Sequence, residues 1–239
     1  MTSGTVVTLD RHYAEQLGCA PEDLNSGRLV VVGNDKVGAI RFAKGVPLVL
    51  FSIAKGGGAV ISVRSCFKGK VEEVIRKAGA SSLDDGLCDA IESAIGPSVD
   101  EPLWFRGHRL YCEPAGFVDQ SAGIVRNVTA DDPHAGELHA KWGGEVFGLV
   151  ADGMVVSWAA IKPLSDLVWD LSVETLPDHR GRGYAKSVVA AAVRHILANG
   201  KLAAWGADRT NIASLATARA VGFQDYGLDF GCVGKVVES

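Results

Sequence analysis

One stretch constrains the fold of this chain more than any other: Val173-Glu174-Thr175-Leu176-Pro177-Asp178-His179-Arg180-Gly181-Arg182-Gly183-Tyr184-Ala185. The run from Leu167 to Thr175 alternates and predicts a strand leading into it. Tyr184 to Ala198 carries Ala185, Val188, Val189, Ala192, Val193, Ile196 and Leu197 on one face, which predicts a helix leading out. Between them, Gly181 and Gly183 let the backbone turn tightly and approach a ligand closely. The first N–H groups of a helix have no internal partner, and its dipole is positive there. Such a junction is an anion site suited to a pyrophosphate. Arg180 and Arg182 add positive charge with a fork geometry that fits phosphate.

Two common phosphate loops do not fit. A P-loop needs Gly-x-x-x-x-Gly-Lys-Ser/Thr, which is absent. A dinucleotide fingerprint needs a third glycine near the start of a βαβ repeat, and Lys186 stands in its place. The segment instead resembles the acyl-CoA loop of the GNAT acetyltransferases, Arg/Gln-x-x-Gly-x-Gly/Ala. Arg180, Gly183 and Ala185 fill its positions, and Pro177 sits three before the arginine. Downstream, Asn211, Ser214, Gly222 and Phe223 are similar to the family's second CoA-contacting helix. The resemblance runs from Glu145 to Gly227. Within the family, the Thr-x-x-x-x-Arg-Gly-x-Gly-x-Ala pattern followed by Trp and Asn-x-x-Ser looks most like the zwittermicin-resistance type, which has an additional amino-terminal region.

The resemblance implies an α/β fold: a mixed, mostly antiparallel GNAT sheet with helices on both sides. It implies acetyl-CoA as co-substrate, no metal, and transfer of an acetyl group to a primary amine of a small molecule. The strand before the loop splays from its neighbour in this family, and backbone groups around Val173 and Thr175 then pair with the pantetheine arm. Arg180, Gly181, Arg182, Gly183, Tyr184, Ala185 and Lys186 are the expected pyrophosphate cradle, with Asn211 and Ser214 on the second helix. Many relatives carry a tyrosine seven residues after the asparagine, as an acid for the leaving thiolate. That position is Ala218 here, and Tyr226 is the nearest other phenol and a candidate acid. Acetylation of a protein or peptide amine, and a non-catalytic CoA-binding module marked by Ala218, are the alternatives.

The strand itself offers a base. Trp169, Leu171 and Val173 share one face with Leu167, while Val168, Asp170, Ser172 and Glu174 share the other. An amine must be neutral to attack a thioester, and a carboxylate can take its proton. Asp170 and Glu174 are the candidates, favouring Asp170. They lie four residues apart, about 13 Å along an extended strand, too far to serve one amine together. Asn211 equally suits a helix N-cap.

The 239 residues suffice for two modest domains. Glu113 to Gly123, rich in Pro, Gly, Asp and Ser, is the expected linker between a smaller amino-terminal α/β domain, 1–120, and the catalytic domain, 124–239. In the first part, Asp10 to Leu17 reads as a helix, Leu29 to Val32, Val46 to Ile53 and Ala59 to Val63 as strands. Phe67 to Ala78 and Leu83 to Ile95 read as helices, the latter with Ser82 and Asp85 as a capping box. Leu103 to Cys112 completes it. In the second, Pro133 to Trp142 is a short helix and Ala151-Asp152-Gly153 a hairpin turn. With little room for helices between Thr129 and Gly144, the amino-terminal domain is expected on the acceptor side of the site, with a degenerate GNAT-like copy as one reading of its fold. A net charge of −4 disfavours nucleic acid and attracts cationic amines weakly. The absence of a long apolar run disfavours a membrane span, and the start lacks a signal pattern. Five widely spaced cysteines and no clustered histidines suggest reduced thiols, a cytoplasmic setting and no metal site. A homodimer is one assembly the sequence allows.

Overall fold

The computed structural model describes residues 4–39, 46–120, 124–132, 135–151 and 153–237, without the side chains of residues 38, 39, 135 and 136. Asp152 of the expected hairpin turn and Pro133 of the expected helix start lie outside the described residues. The fold is mixed α/β. Its elements are α1 (Gly4–Leu17), β1 (Leu29–Gly33), β2 (Leu48–Lys55), β3 (Gly58–Val63), α2 (Lys68–Ala78), α3 (Asp85–Ile95), β4 (Val99–Cys112), β5 (Val125–Val128), α4 (Ala135–Trp142), β6 (Val146–Ala151), β7 (Met154–Pro163), β8 (Val168–Thr175), α5 (Tyr184–Ala198), β9 (Leu202–Asp208), α6 (Ile212–Val221) and β10 (Gln224–Val236). Among the described residues no helix is long and apolar enough to cross a membrane.

The chain gathers into two units, Met1–His108 with Gly227–Ser239, and Arg109–Tyr226. The units therefore do not follow the linear division at 120 and 124. The reason is strand pairing: β10 lies antiparallel to β2, with Leu228 opposite Ala54 and Cys232 opposite Leu50.

In the first unit the strand order is β1, β3, β2, β10, β4. β1 runs parallel to β3, and β2 and β3 form a hairpin whose turn uses Gly56 and Gly57 at positive φ. Leu50, Ile61, Val63, Phe230 and Cys232 on one sheet face pack against Val71, Leu87, Ile91 and Ile95 of α2 and α3. Each such fully buried aliphatic side chain stabilises the fold by about 1.5–3 kcal/mol. Gly79, at φ 59, ends α2 as its sequence position suggests. The cap of α3 differs from expectation: Asp84, not Ser82, is the N-cap, and its carboxylate accepts the Leu87 N–H at 2.9 Å. α1 starts at Gly4 rather than Asp10, and its buried stripe of Leu9, Tyr13 and Leu17 lies in the later part of the helix.

In the second unit β5, β6, β7 and β8 form an antiparallel meander, and β9 then adds parallel to β8 after the α5 crossover. Leu110 and Cys112 of β4 share the core with Ala203 and Trp205 of β9. Val188, Val189, Ala192, Val193 and Ile196 of α5 pack on Leu171, Trp169 and Val173, so the apolar face of β8 is the one read from the sequence. On the other face, Leu138 and Trp142 of α4 pack with Val128, Val146, Ala160 and Trp158. The cross-strand register places Ser172 opposite Ala160 on that face, and with it Asp170 and Glu174.

Candidate functional site

After β8 the chain makes a single 3-10 turn at Pro177–His179, and α5 begins at Tyr184. Gly181 has φ 76 and Gly183 φ 81, in the left-handed region that L side chains rarely adopt. A Cβ on Gly181 would meet nothing within 4 Å, so backbone conformation rather than crowding demands glycine there. Gly183 is the N-cap of α5, with no side-chain cap and no acid in the first turn. The first intrahelical bond is Ser187 N–H to Gly183 O, at 3.3 Å. The N–H groups of Tyr184, Ala185 and Lys186 thus precede the helical ladder and define a positive edge. Arg180 Nε donates to Thr175 O at 3.0 Å and Arg182 Nη2 to Asp178 O at 3.1 Å, which fixes the loop. Among the described residues neither guanidinium has a carboxylate partner, so their charge stays available to an anion.

Beside this loop the sheet opens. The β8–β9 register holds only Val168 with Leu202, Trp169 with Ala203 and Asp170 with Ala204. Beyond Asp170 and Ala204 the two strands continue without a shared ladder among the described residues. Val173 and Thr175 lie in the open part of β8. Because β8 and β9 are parallel, their carboxyl ends and the starts of α5 and α6 share one edge of the sheet, where α/β folds place ligands.

The α6 start is organised differently. Asn211 Oδ1 accepts the Ser214 N–H at 3.1 Å, and Ser214 Oγ accepts the Trp205 indole N–H at 3.1 Å. Asn211 therefore acts as an N-cap, a role the sequence allowed. At the end of β9, bonds from the Thr210 hydroxyl and N–H hold the Asp208 carboxyl below its usual range. Ala218 is fully buried in the core, where a tyrosine side chain would have no room. Gly222, at φ 100, closes the helix, and a Cβ there would strike Gly116 O at 1.9 Å.

The candidate proton-handling groups are placed as follows. Asp170 is 6% exposed. Its Oδ2 pairs with Lys162 Nζ at 2.9 Å and its Oδ1 accepts the Leu171 N–H at 2.7 Å. Glu174 is exposed and stands opposite Trp158. Its carbonyl accepts from Ser157 Oγ, which also bonds Thr175 Oγ1 at 2.8 Å. Tyr226 is buried in β10. Sequence reasoning missed Lys162 and Trp142. Lys162 faces Asp170 across the β7–β8 turn, a pairing of opposite charges that hairpin counting from Pro163 and Trp169 would have found. The five cysteines are free, and burial pushes the Cys112 thiol up to about 12, which keeps it out of thiolate chemistry. Among the described residues no group of His, Cys, Asp and Glu is placed to hold a metal.

The residues present fit a CoA-type ligand. Positive-φ glycines, a helix start without a side-chain cap and two arginines can receive its phosphates, and the open β8 edge can receive an amide-bearing arm.

Comparison with known proteins agrees. Residues 144–227 match the family model of the GNAT acetyltransferases. No curated protein sequence matches the chain. Among solved structures, a GCN5-related N-acetyltransferase from Kribbella flavida is 16% identical over 98% of this chain and 96% of that one, with a TM-score of 0.52. A protein from Novosphingobium aromaticivorans described as of the GNAT family is 17% identical over 56% of this chain, with a TM-score of 0.49. The chain spans 66% of that protein's length, just short of two thirds. A Salmonella typhimurium protein, described as an acetyltransferase with its cofactor acetyl-CoA, is 16% identical over 50% of this chain and 96% of that one, with a TM-score of 0.39. The Kribbella likeness bears on the fold alone.

Proposed function

Because the chain carries a GNAT acetyltransferase domain at residues 144–227, we propose that it transfers an acetyl group from acetyl-CoA to a primary amine of a small molecule. The observation that carries this reading is the β8–β9 ladder that ends at Asp170 and Ala204 beside a two-glycine helix start. The N–H groups from Tyr184 to Lys186, with Arg180 and Arg182, take the pyrophosphate. Backbone groups of β8 at Val173 and the N–H of Thr175 hold the pantetheine, and an N–H of the same strand faces the thioester oxygen as negative charge develops there. The amine nitrogen attacks the carbonyl carbon, the C–N bond forms, the C–S bond breaks and the sulfur leaves as thiolate. Asp170 takes the amine proton or orients the acceptor, with Glu174 as the alternative, and Tyr226 is the candidate donor to the thiolate. An ordinary thiol, with a pKa of about 8.5, is a fair leaving group without a dedicated acid. A cytoplasmic setting fits the five free thiols.

A second reading, a CoA-binding module without chemistry, is favoured by one observation: Ala218 fills the core where many relatives place a phenol. Calorimetry with acetyl-CoA followed by thiol release over a panel of amines separates the two. Binding with turnover supports the transferase, and binding without turnover of any amine supports the module. Millimolar acetyl-CoA that gives neither heat nor a rise in melting temperature would reject both.

A further inference from the structure

The face of β7 and β8 that α4 covers bears on the unnamed acceptor. Asp170 and Lys162 sit opposite one another in register, and their charged atoms are 2.9 Å apart, with side chains 8% and 22% exposed respectively. Lys162 Nζ also stands 5.2 Å from the centroid of the Trp142 indole, and Lys141 Nζ stands 4.6 Å from the same centroid. The Trp142 N–H is buried with no hydrogen-bond partner among the described residues, whereas the Trp205 N–H is satisfied by Ser214. Buried donors without partners are rare in native proteins, and a ligand oxygen relieves one. Two lysines therefore stand against one indole whose own N–H has no partner among the described residues, and one of the two, Lys162, holds the Asp170 carboxylate.

We propose that the acceptor is a small amino carboxylate, a molecule whose primary amine lies one or two carbons from a carboxylate. The inference rests on the acetyltransferase reading above and names its substrate class. A fixed pair of opposite charges at 2.9 Å is the complement of a zwitterion of similar span. The acceptor's amine turns to Asp170, and its carboxylate turns to Lys162 with the Trp142 N–H as a further donor. One ion pair is exchanged for two, and neither Lys162 nor Asp170 is left buried without a counter-charge. A plain alkylamine takes Asp170 and strands Lys162. A polyamine brings more positive charge beside two lysines. In the transfer the amine nitrogen forms the C–N bond and loses its proton to the carboxylate base. The C–S electrons leave on the CoA sulfur, and the acceptor's carboxylate is unchanged.

The test uses the full chain, saturating acetyl-CoA and thiol release with matched acceptors: L-phenylalanine against 2-phenylethylamine, L-leucine against 3-methylbutylamine, and spermidine. The carboxylate-bearing member of each pair is expected to lead in kcat/KM by at least about tenfold, since a site built to bond a polar group rejects ligands lacking it. Trp142→Phe removes the N–H but keeps the ring, and Lys162→Met removes the charge but keeps most of the length. Each is expected to bring the ratio toward one. A role confined to packing would depress both members of a pair together and leave the ratio intact. If Lys162→Met does not fold, Trp142→Phe decides alone. Equal or better turnover of the plain amines or spermidine overturns the proposal and leaves the acetyltransferase standing, as does a ratio that survives both substitutions. Absence of thiol release with every amine overturns both this proposal and the acetyltransferase reading.

Discussion

Each unit contains a parallel strand pair, β1 with β3 and β8 with β9, and the two are put to different uses. In the first unit β1 and β3 are in register over their whole shared length, from Leu29 with Ala59 to Gly33 with Val63. In the second, β8 and β9 part after three pairs. The helices that follow differ in the same sense. Between β3 and α2 no residue has positive φ, Arg64 donates to Asp35 at 3.3 Å, and Lys68 pairs with Glu72. Bonds from the Ser65 N–H and side chain, with Arg64, hold the Asp35 carboxyl below its usual range. An acid of the protein already meets that basic junction. Between β8 and α5 two glycines have positive φ and the arginines bond only carbonyls. Basic residues before a helix therefore do not by themselves make an anion site. What distinguishes the second junction is backbone and charge that the fold leaves for something else to satisfy.

The largest expected effect breaks the second junction. Gly183→Val places a β-branched side chain at φ 81 where the ligand must approach, a conformation that costs about 1–3 kcal/mol even before any clash. Acetyl-CoA binding should fall below detection in calorimetry while circular dichroism shows a folded chain. Retained affinity would remove this loop from the site. Next comes the opening itself. If Asp170 is the base, Asp170→Asn should lower the rate by roughly 10²–10⁴-fold with acetyl-CoA affinity nearly unchanged. Glu174→Gln and Tyr226→Phe, assayed with the same acceptor, show whether the effect belongs to another group. Near-parental rates in all three would mean that solvent or another residue handles the proton. A smaller loss is expected from Arg180→Ala, which removes one charged hydrogen-bond donor: about 1.5–3 kcal/mol of CoA affinity, measured by titration. The smallest effect comes from the first unit. Gly69, in the first turn of α2, has nothing within 4 Å of an added Cβ. Gly69→Ala should raise stability by up to about 1 kcal/mol in denaturant unfolding and leave acetyl-CoA affinity untouched. A loss of affinity there would show that the first junction contributes to binding after all.

The legible parts of the molecule were those specified by neighbours in sequence. α5 spans Tyr184–Ala198 as its period indicates, and the glycines of its loop sit at positive φ. The faces of β8 followed from alternation. What could not be read depends on partners far away in the chain. Lys162 becomes part of the site only through its register with Asp170, and Trp142 only through the packing of α4 on the sheet. The two units cross the linear division near Gly123 for the same reason. Leu110 and Cys112, before the expected linker, belong to the core of the second unit, while Phe230 and Cys232, near the other end, belong to that of the first. A fragment of residues 124–239 would omit Leu110 and Cys112, two buried members of the second unit's core.

The antiparallel pairing of β10 with β2 also has a consequence in time. Ala54 finds its partner Leu228 only after the whole of the second unit has been synthesised. Until then Leu50, Ile61 and Val63 pack without Phe230 and Cys232, and one edge of β2 waits for its neighbour. Pairings of such long sequence separation form slowly, and an unpaired edge is where a nascent chain associates wrongly. The second unit, by contrast, has its residues in one continuous stretch and can close on leaving the ribosome. The order of synthesis thus makes the segment with the loop and the open strand the first to mature, and leaves the amino-terminal unit, begun first, to be finished last.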